Sequence, residues 1–282
     1  MKSAASIRAK LLNISREEKI TFQQILFRFF HERFLARLSV SPYKNSLLLK
    51  GGNFIYALQG NTTRPTIDID FLGHQISNES HFLLGIIQEI CRIHIDDHVS
   101  FNPDTIETFP ITENKTYHGT RLKVETTFDT IKQHIQIDIG FGDVITPSPI
   151  IIKYPVILDE FSEPILKAYN SETAIAEKLH AMVVLANFNS RMKDFYDVFQ
   201  LIENHDFDYS LLRDAIQATF KTRATDFDLG NCIIIIETIA SDTEKLKLWN
   251  LFLKKINSDQ IDFKMLIQSI KIVLISTFKK ND

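Results

Sequence analysis

Cysteine, glycine and proline are all scarce in this chain of 282 residues, with two, nine and eight copies. Two thiols cannot build a disulfide framework or a cysteine-rich zinc site, and they fit a reducing cytosol best. The low glycine and proline content, together with 44% hydrophobic residues, argues against disorder and indicates a globular protein. The length allows one large domain or two small ones.

A strong charge of one sign is also missing, because the formal net charge is only -3. Binding to RNA or DNA would therefore need a local basic patch rather than an overall basic field. Apolar runs such as residues 232–236 are far too short to span a bilayer. The first 19 residues lack the apolar stretch of a signal peptide. We expect a soluble cytoplasmic protein with no membrane partner.

The hydrophobic pattern divides the chain into a mixed part and a helical part. Period-two alternation predicts a strand over residues 66–72, and helical spacing predicts a helix over residues 20–38. The other elements predicted before residue 150 are a strand at 46–50, a helix ending at 60, a helix at 78–94, and strands at 99–111, 119–128 and 133–141. The helices predicted later are 171–187, 191–204, 209–223, 230–240, 243–256 and 262–278. We predict an α+β protein with a mixed-sheet domain at 1–160 and a helical domain at 161–282.

The strand at 66–72 concentrates acidic side chains on one face. Thr66, Asp68 and Asp70 lie on the polar side. The apolar side carries Ile67, Ile69 and Phe71. Two neighbouring carboxylates repel each other unless a hard cation such as Mg²⁺ lies between them. Asp138, on the polar face of a later alternating strand, is the candidate for a third metal ligand.

A glycine pair precedes the acidic strand. Lys50, Gly51 and Gly52 stand between a strand and a short helix, where glycine lets backbone N–H groups approach phosphate oxygens. Arg64, just before the acidic strand, could add a charge-assisted phosphate contact. An isolated Asp-x-Asp is usually a solvated strand face and an isolated Gly-Gly a turn. Only their combination, with the later aspartate, indicates a site for a metal and a triphosphate.

In these motifs the sequence resembles the AbiEii/AbiGii group of nucleotidyltransferase toxins, within the superfamily that has a polymerase-β-like palm. The resemblance covers roughly residues 45–205 and depends on Lys50-Gly-Gly52 and on the segments 64–70, 177–179 and 191–197. Gly52 departs from the broader superfamily, which often has serine there, so this position offers phosphate its backbone N–H but no side-chain hydroxyl. The resemblance implies a palm domain whose nucleotide site is completed by the helical domain.

The helical part contributes candidates that spacing alone does not single out. Spacing alone indicates that Lys178 is a surface lysine and that Asp194 and Asp197 form ion pairs with Arg191 and Lys193. The resemblance implies that Lys178 faces the nucleotide and neutralises phosphate charge. It also implies that Asp194 is a functional acid, either contacting the lysine or acting as a base, with Asp197 as its neighbour.

The resulting hypothesis is a transferase that uses Mg²⁺ or Mn²⁺ and moves a nucleoside monophosphate from a nucleoside triphosphate to an acceptor hydroxyl. Asp68 and Asp70 would hold the metal, two metal ions would stabilise the attacking and leaving oxygens, and Asp138 would be a base or a ligand of the second ion. The resemblance implies an RNA acceptor such as tRNA, toxicity, and a cognate antitoxin. The alternatives are a small-molecule acceptor, such as an antibiotic, and a catalytically inactive interaction protein. An RNA acceptor predicts a basic strip drawn from Lys44, Lys115, Arg121, Lys123 and Lys193.

Overall fold

A computed structural model describes residues 3–114 and 117–279, in which there are ten α-helices and a seven-stranded mixed sheet. The helices are α1 (Ala4–Glu17), α2 (Phe22–Val40), α3 (Gly51–Gln59), α4 (Ser80–Arg92), α5 (Ser171–Leu185), α6 (Met192–Asn204), α7 (Tyr209–Thr222), α8 (Leu229–Ser241), α9 (Thr243–Lys255) and α10 (Phe263–Phe278). The strands are β1 (Leu47–Lys50), β2 (Asp68–Gly73), β3 (Val99–Asn114), β4 (Tyr117–Phe128), β5 (Ile131–Gly140), β6 (Ile150–Lys153) and β7 (Ile165–Ala168).

The chain forms two compact units that are not continuous in sequence. The first contains Met1–Ala57, Pro65–Gly142 and Ile150–Ala168. The second contains Leu58–Arg64, Asp143–Pro149 and Tyr169–Asp282. All seven strands belong to the first unit, and α5 to α10 belong to the second. The domain boundary at residue 160 stays a prediction.

The sheet of the first unit has the strand order β3-β4-β5-β2-β1-β7-β6. At its centre β2 runs parallel to β5 and antiparallel to β1, so the three strands that carry the predicted site motifs are neighbours. The register places Asp70 opposite Asp138, and the buried side of β5 is formed by Ile135, Ile137 and Ile139. Burial of such an alternating apolar face fixes the register, because a slip of one residue would turn every side chain to the wrong side.

Helices α2 and α4 pack against this sheet. Helix α2 starts at a capping box formed by Thr21 and Gln24, which satisfies two backbone N–H groups of the first turn. It then buries Ile25, Phe29 and Phe34 completely. A fully buried aliphatic or phenyl side chain contributes roughly 1.5–3 kcal/mol, so this face anchors the helix to the sheet.

The predicted helices and strands are confirmed, with ends that move by a few residues. Three elements were missed: α1, and the short strands β6 and β7 in a proline-containing segment. One orientation was wrong. Strand β2 begins only at Asp68, so Ile67 lies outside the sheet and is 61% exposed instead of buried. In the part of the chain that is described, no helix is both long and apolar enough to cross a membrane.

Candidate active site

Three carboxylates converge on the central strands of the first unit. Asp68, Asp70 and Asp138 each offer a carboxylate oxygen, and these oxygens lie within 4.8 Å of one another. The convergence follows from the sheet, because Asp68 and Asp70 share one face of β2 and Asp138 is the register partner of Asp70 on β5. Carboxylate oxygens at this separation are the donors that a hard divalent cation prefers. The three residues therefore fit a metal ion of the Mg²⁺ class.

Gly51 brings the backbone close to this cluster. Its φ of +66° lies in the left-handed region, and a Cβ atom there would lie 2.7 Å from Cγ and 2.9 Å from Cβ of Asp70. Gly51 is also the first residue of α3, whose first N–H groups have no partner within the helix. Only glycine allows this approach, which sets N–H donors beside the acidic cluster.

The side chain of Thr66 packs directly against Gly52 and leaves no room for a side chain at position 52. A Cβ atom at Gly52 would lie 2.8 Å from Oγ1 and 2.9 Å from Cβ of Thr66. The Thr66 hydroxyl thus occupies the space that a serine at position 52 would need. This hydroxyl donates a hydrogen bond to Oδ1 of Asp68 at 3.0 Å, which orients the carboxylate.

A buried network of hydrogen bonds connects the backbone of Asp68 to Asn53 and Tyr154. Nδ2 of Asn53 donates to the carbonyl oxygen of Asp68 at 2.7 Å, and the Tyr154 hydroxyl donates to Oδ1 of Asn53 at 2.7 Å. His31 lies beside Asn53, with 3.4 Å between Nδ1 and the Asn53 Nδ2. Burial lowers the pKa of His31 to about 4, although the charge of Asp68 opposes the shift. The imidazole is therefore neutral at neutral pH, and the network ties α3 to the acidic strand.

Asp138 is bound by an arginine on the neighbouring strand. Arg121 donates from Nε to Oδ1 at 2.9 Å and from a terminal nitrogen to Oδ2 at 2.7 Å. Arg121 and Asp138 are register partners, and the same row continues to Asp70 and Lys50. We call Lys50, Asp70, Asp138 and Arg121 the charged row. It sets one cation at each end of two adjacent carboxylates.

The second unit holds a separate buried cluster around Lys178. Its Nζ donates to Oδ1 of Asp194 at 3.0 Å and to Oδ2 of Asp197 at 2.7 Å. Arg64 binds Asp197 through two hydrogen bonds of 2.8 Å, and Arg191 donates to Asp194 at 2.7 Å. Three cations and two carboxylates therefore share one network, which carries a net charge of about +1.

The opposite charges of this cluster keep one another ionised. Burial lowers the pKa of Lys178, but Asp197 and Asp194 outweigh it and the pKa is raised above its ordinary value. Burial raises the pKa of Asp194 and Asp197, but Lys178 and the flanking arginines outweigh it and hold both below the ordinary carboxyl value. All of these groups are consequently charged at neutral pH, and the lysine is an ammonium ion.

The structure thus gathers the predicted residues into two groups. Residues 50, 51, 52, 68, 70 and 138 lie together in the first unit, while residues 64, 178, 194 and 197 lie together in the second. Sequence reasoning missed Asn53 and Tyr154 and gave Thr66 no role beyond its place on the polar face. A polar residue directly after a glycine pair was a usable signal for Asn53. No local pattern pointed to Tyr154, since its partner is 101 residues away.

The residues of the predicted basic strip differ in their exposure and in their partners. Lys44 and Lys123 are exposed, and the ammonium of Lys123 lies 5.1 Å from the ring centre of Phe109. Arg121 is engaged by Asp138. Lys193 is exposed in the second unit, and Lys115 lies outside the described residues.

Comparison with known proteins defines the class. A family model of nucleotidyl transferases matches residues 33–269, which is most of the chain. The chain belongs to this family, the AbiEii nucleotidyl transferase toxins of type IV toxin–antitoxin systems. Membership implies a transferase with a nucleotide substrate and an antitoxin partner.

Among solved structures, JHP933 from Helicobacter pylori is similar, at 16% identity and a TM-score of 0.49, over 92% of this chain and 94% of that one. A second H. pylori structure, of a candidate nucleotidyltransferase, gives 16% identity and 0.49 over 93% and 97%. No protein with a curated description matches the chain.

Proposed function

We propose that the protein is a Mg²⁺-dependent nucleotidyltransferase that moves a nucleoside monophosphate from a nucleoside triphosphate to a hydroxyl group of RNA, such as tRNA. It would act as a cytoplasmic toxin that is neutralised by a cognate antitoxin. The observation that carries the metal-dependent chemistry is the convergence of Asp68, Asp70 and Asp138 within 4.8 Å, directly beside the backbone of Gly51. The RNA acceptor and the antitoxin rest on the family alone.

In this proposal Asp68 and Asp70 hold the divalent ion, Mg²⁺ or Mn²⁺, which would neutralise charge on the triphosphate as it reacts. The first N–H groups of α3, at Gly51 and Gly52, contact phosphate oxygens, and Lys50 ends the adjoining strand β1. Thr66 and Asn53 keep Asp68 in one orientation through its carboxylate and its carbonyl oxygen. The site is therefore organised before any substrate binds.

The proposed reaction is an in-line transfer. The acceptor hydroxyl attacks the α-phosphorus, its new bond to phosphorus forms as the bond to the bridging oxygen breaks, and pyrophosphate leaves. The proton of the acceptor hydroxyl passes to a base. Asp138 was predicted as that base or as a metal ligand, and in this structure both of its oxygens accept hydrogen bonds from Arg121.

Lys178, Asp194 and Arg64 remain proposed functional residues of the second unit. The ion pairs among them keep Lys178 protonated and fix the position of its ammonium group. A fixed ammonium ion suits the stabilisation of negative charge that develops on phosphate oxygens. Arg64 contributes through Asp197, to which it is bound by two hydrogen bonds.

The test is a transfer assay with purified protein, α-labelled nucleoside triphosphates, Mg²⁺ and total RNA. Asp68→Asn keeps the shape of the side chain and its hydrogen bond from Thr66, but removes a negative charge from the metal site. We expect it to lower transfer by at least about 100-fold. Asp104→Asn is the matched control, because Asp104 is an exposed carboxylate of the same unit.

The labelled product separates the alternatives. Label in RNA supports the proposal, whereas label on a small molecule supplied in place of RNA would favour an antibiotic-type enzyme. Wild-type activity in a folded Asp68→Asn protein, or no transfer by the wild type to either acceptor, would contradict the proposal and favour an inactive interaction protein. Circular dichroism and thermal unfolding establish that each variant is folded.

A further inference from the structure

The ion pair of Arg121 with Asp138 changes what the three carboxylates can do. Asp138 is only 9% exposed, and both of its oxygens accept short hydrogen bonds from one guanidinium group. Such a two-point pair is the strongest arrangement of these side chains and has a fixed geometry. An ion that used Asp138 as a ligand would have to share the carboxylate, and its negative charge, with the guanidinium group.

The pairing of strands reinforces this arrangement. Arg121 lies opposite Asp138 on β4, and Asp138 lies opposite Asp70 on β2, so the guanidinium is held at the edge of the acidic cluster by the backbone register. Asp68 and Asp70 also attract Arg121 electrostatically. Three carboxylates, the guanidinium and the ammonium of Lys50 at the other end of the charged row sum to a charge of about −1, so a single divalent ion already more than balances the site.

We propose that Arg121 is a built-in cation that takes the place of a second metal ion, so that the site holds a single divalent ion on Asp68 and Asp70. Asp138 is then a positioning residue, which holds the guanidinium beside the ion. This inference rests on the proposed function, because it concerns the metal stoichiometry of the same site. It extends that proposal by assigning Arg121, which no motif marks, and by deciding the role of Asp138.

The number and affinity of bound ions test the inference without any catalytic assay. We would titrate the nucleotide-free protein with Mn²⁺ and count bound ions by electron paramagnetic resonance and calorimetry. The wild type is expected to bind one ion at the site. Arg121→Gln removes a positive charge and releases both oxygens of Asp138, so it should bind the first ion about tenfold more tightly and accept a second.

Two further variants keep the test decisive. Lys123→Gln, two residues along on the same face of β4, removes a nearby cation that does not bind Asp138, and it should behave as the wild type. Asp138→Asn should still bind one ion, since the carboxylate is not a ligand. Its folding is checked by circular dichroism, and it covers the case in which Arg121→Gln fails to fold.

The opposite results are equally clear. Two ions in the wild type, with one lost in Asp138→Asn, would overturn the inference, as would a folded Arg121→Gln protein with unchanged number and affinity. A wild type that transfers nucleotides while binding two ions loses only this inference. A chain that binds no Mn²⁺ in any variant and transfers no nucleotide loses the proposed function as well.

Discussion

Gly51 is the position where a single methyl group should do the most damage to the site. Alanine at this position would retain a φ of +66°, which disfavours a residue with a side chain by about 1 kcal/mol. Its Cβ would also lie 2.7 Å from Cγ and 2.9 Å from Cβ of Asp70. Carbon atoms are at their best separation near 3.5–4.0 Å, so Asp70 or the backbone must move by roughly 1 Å.

The two effects add to a measurable loss of stability. Forcing an extra methyl group into packed surroundings costs about 1–3 kcal/mol, so Gly51→Ala should lose about 2–4 kcal/mol in total. Gly60→Ala is the matched control. Gly60 has nearly the same φ, +63°, but a Cβ there meets no atom within 4 Å. It should lose only the conformational contribution of about 1 kcal/mol, and the difference isolates the contact with Asp70.

Urea unfolding measures these losses, and thermal unfolding with and without Mn²⁺ measures the consequence for the metal site. A ligand at 100 times its dissociation constant stabilises the folded state by about 2.7 kcal/mol. We expect this increment in the wild type and in Gly60→Ala, and its loss in Gly51→Ala because Asp70 has moved. Equal stability losses and equal Mn²⁺ increments in the two alanine variants would refute the reasoning.

Two further predictions concern buried ionisable groups. Lys178→Met should lower the free energy of unfolding in urea by about 1–3 kcal/mol, because each buried aspartate loses one partner but keeps an arginine. Lys193→Met, on the exposed side of α6, should leave the stability unchanged, and an unchanged stability of Lys178→Met would argue against the network. His31 has a folded pKa of about 4 against 6.5 ordinarily, so the unfolded chain binds more protons between these values and stability falls as pH drops through this window. The wild type should lose about 3 kcal/mol more than His31→Gln between pH 6.5 and pH 4, while the exposed His81→Gln follows the wild type; parallel curves for wild type and His31→Gln would contradict the shift.

The pairing of Arg64 and Lys178 with Asp197 shows how tertiary structure redefines a predicted residue. Both cations were assigned to phosphate from the motif and the resemblance, and the one protein partner considered was Asp194, for Lys178. In the structure Asp197 accepts hydrogen bonds from both, across 133 and 19 residues of sequence. A phosphate group would therefore interact with a network of net charge about +1 and not with two separate cations. Spacing along one helix could not reveal this, since the partners come from different segments.

Local sequence patterns were enough to predict most elements of the fold and the faces on which key side chains lie. Period-two alternation in β2 and β5 places Asp68, Asp70 and Asp138 on polar faces, because consecutive residues of a strand point to opposite sides. Helical periodicity likewise located α5 to α10. These features depend only on residues close in sequence, which is why a pattern reveals them. The short strands β6 and β7 escaped because four residues among prolines carry too little periodicity.

Which side chains meet depends on contacts between segments that are distant in sequence. Periodicity gives the face on which a residue lies but not the neighbour of that face, so the register that sets Arg121 against Asp138 was beyond reach. The same holds for Thr66 filling the space beside Gly52, and for Tyr154 reaching Asn53. Such contacts are fixed by strand order and by packing between distant segments, and a local pattern contains neither.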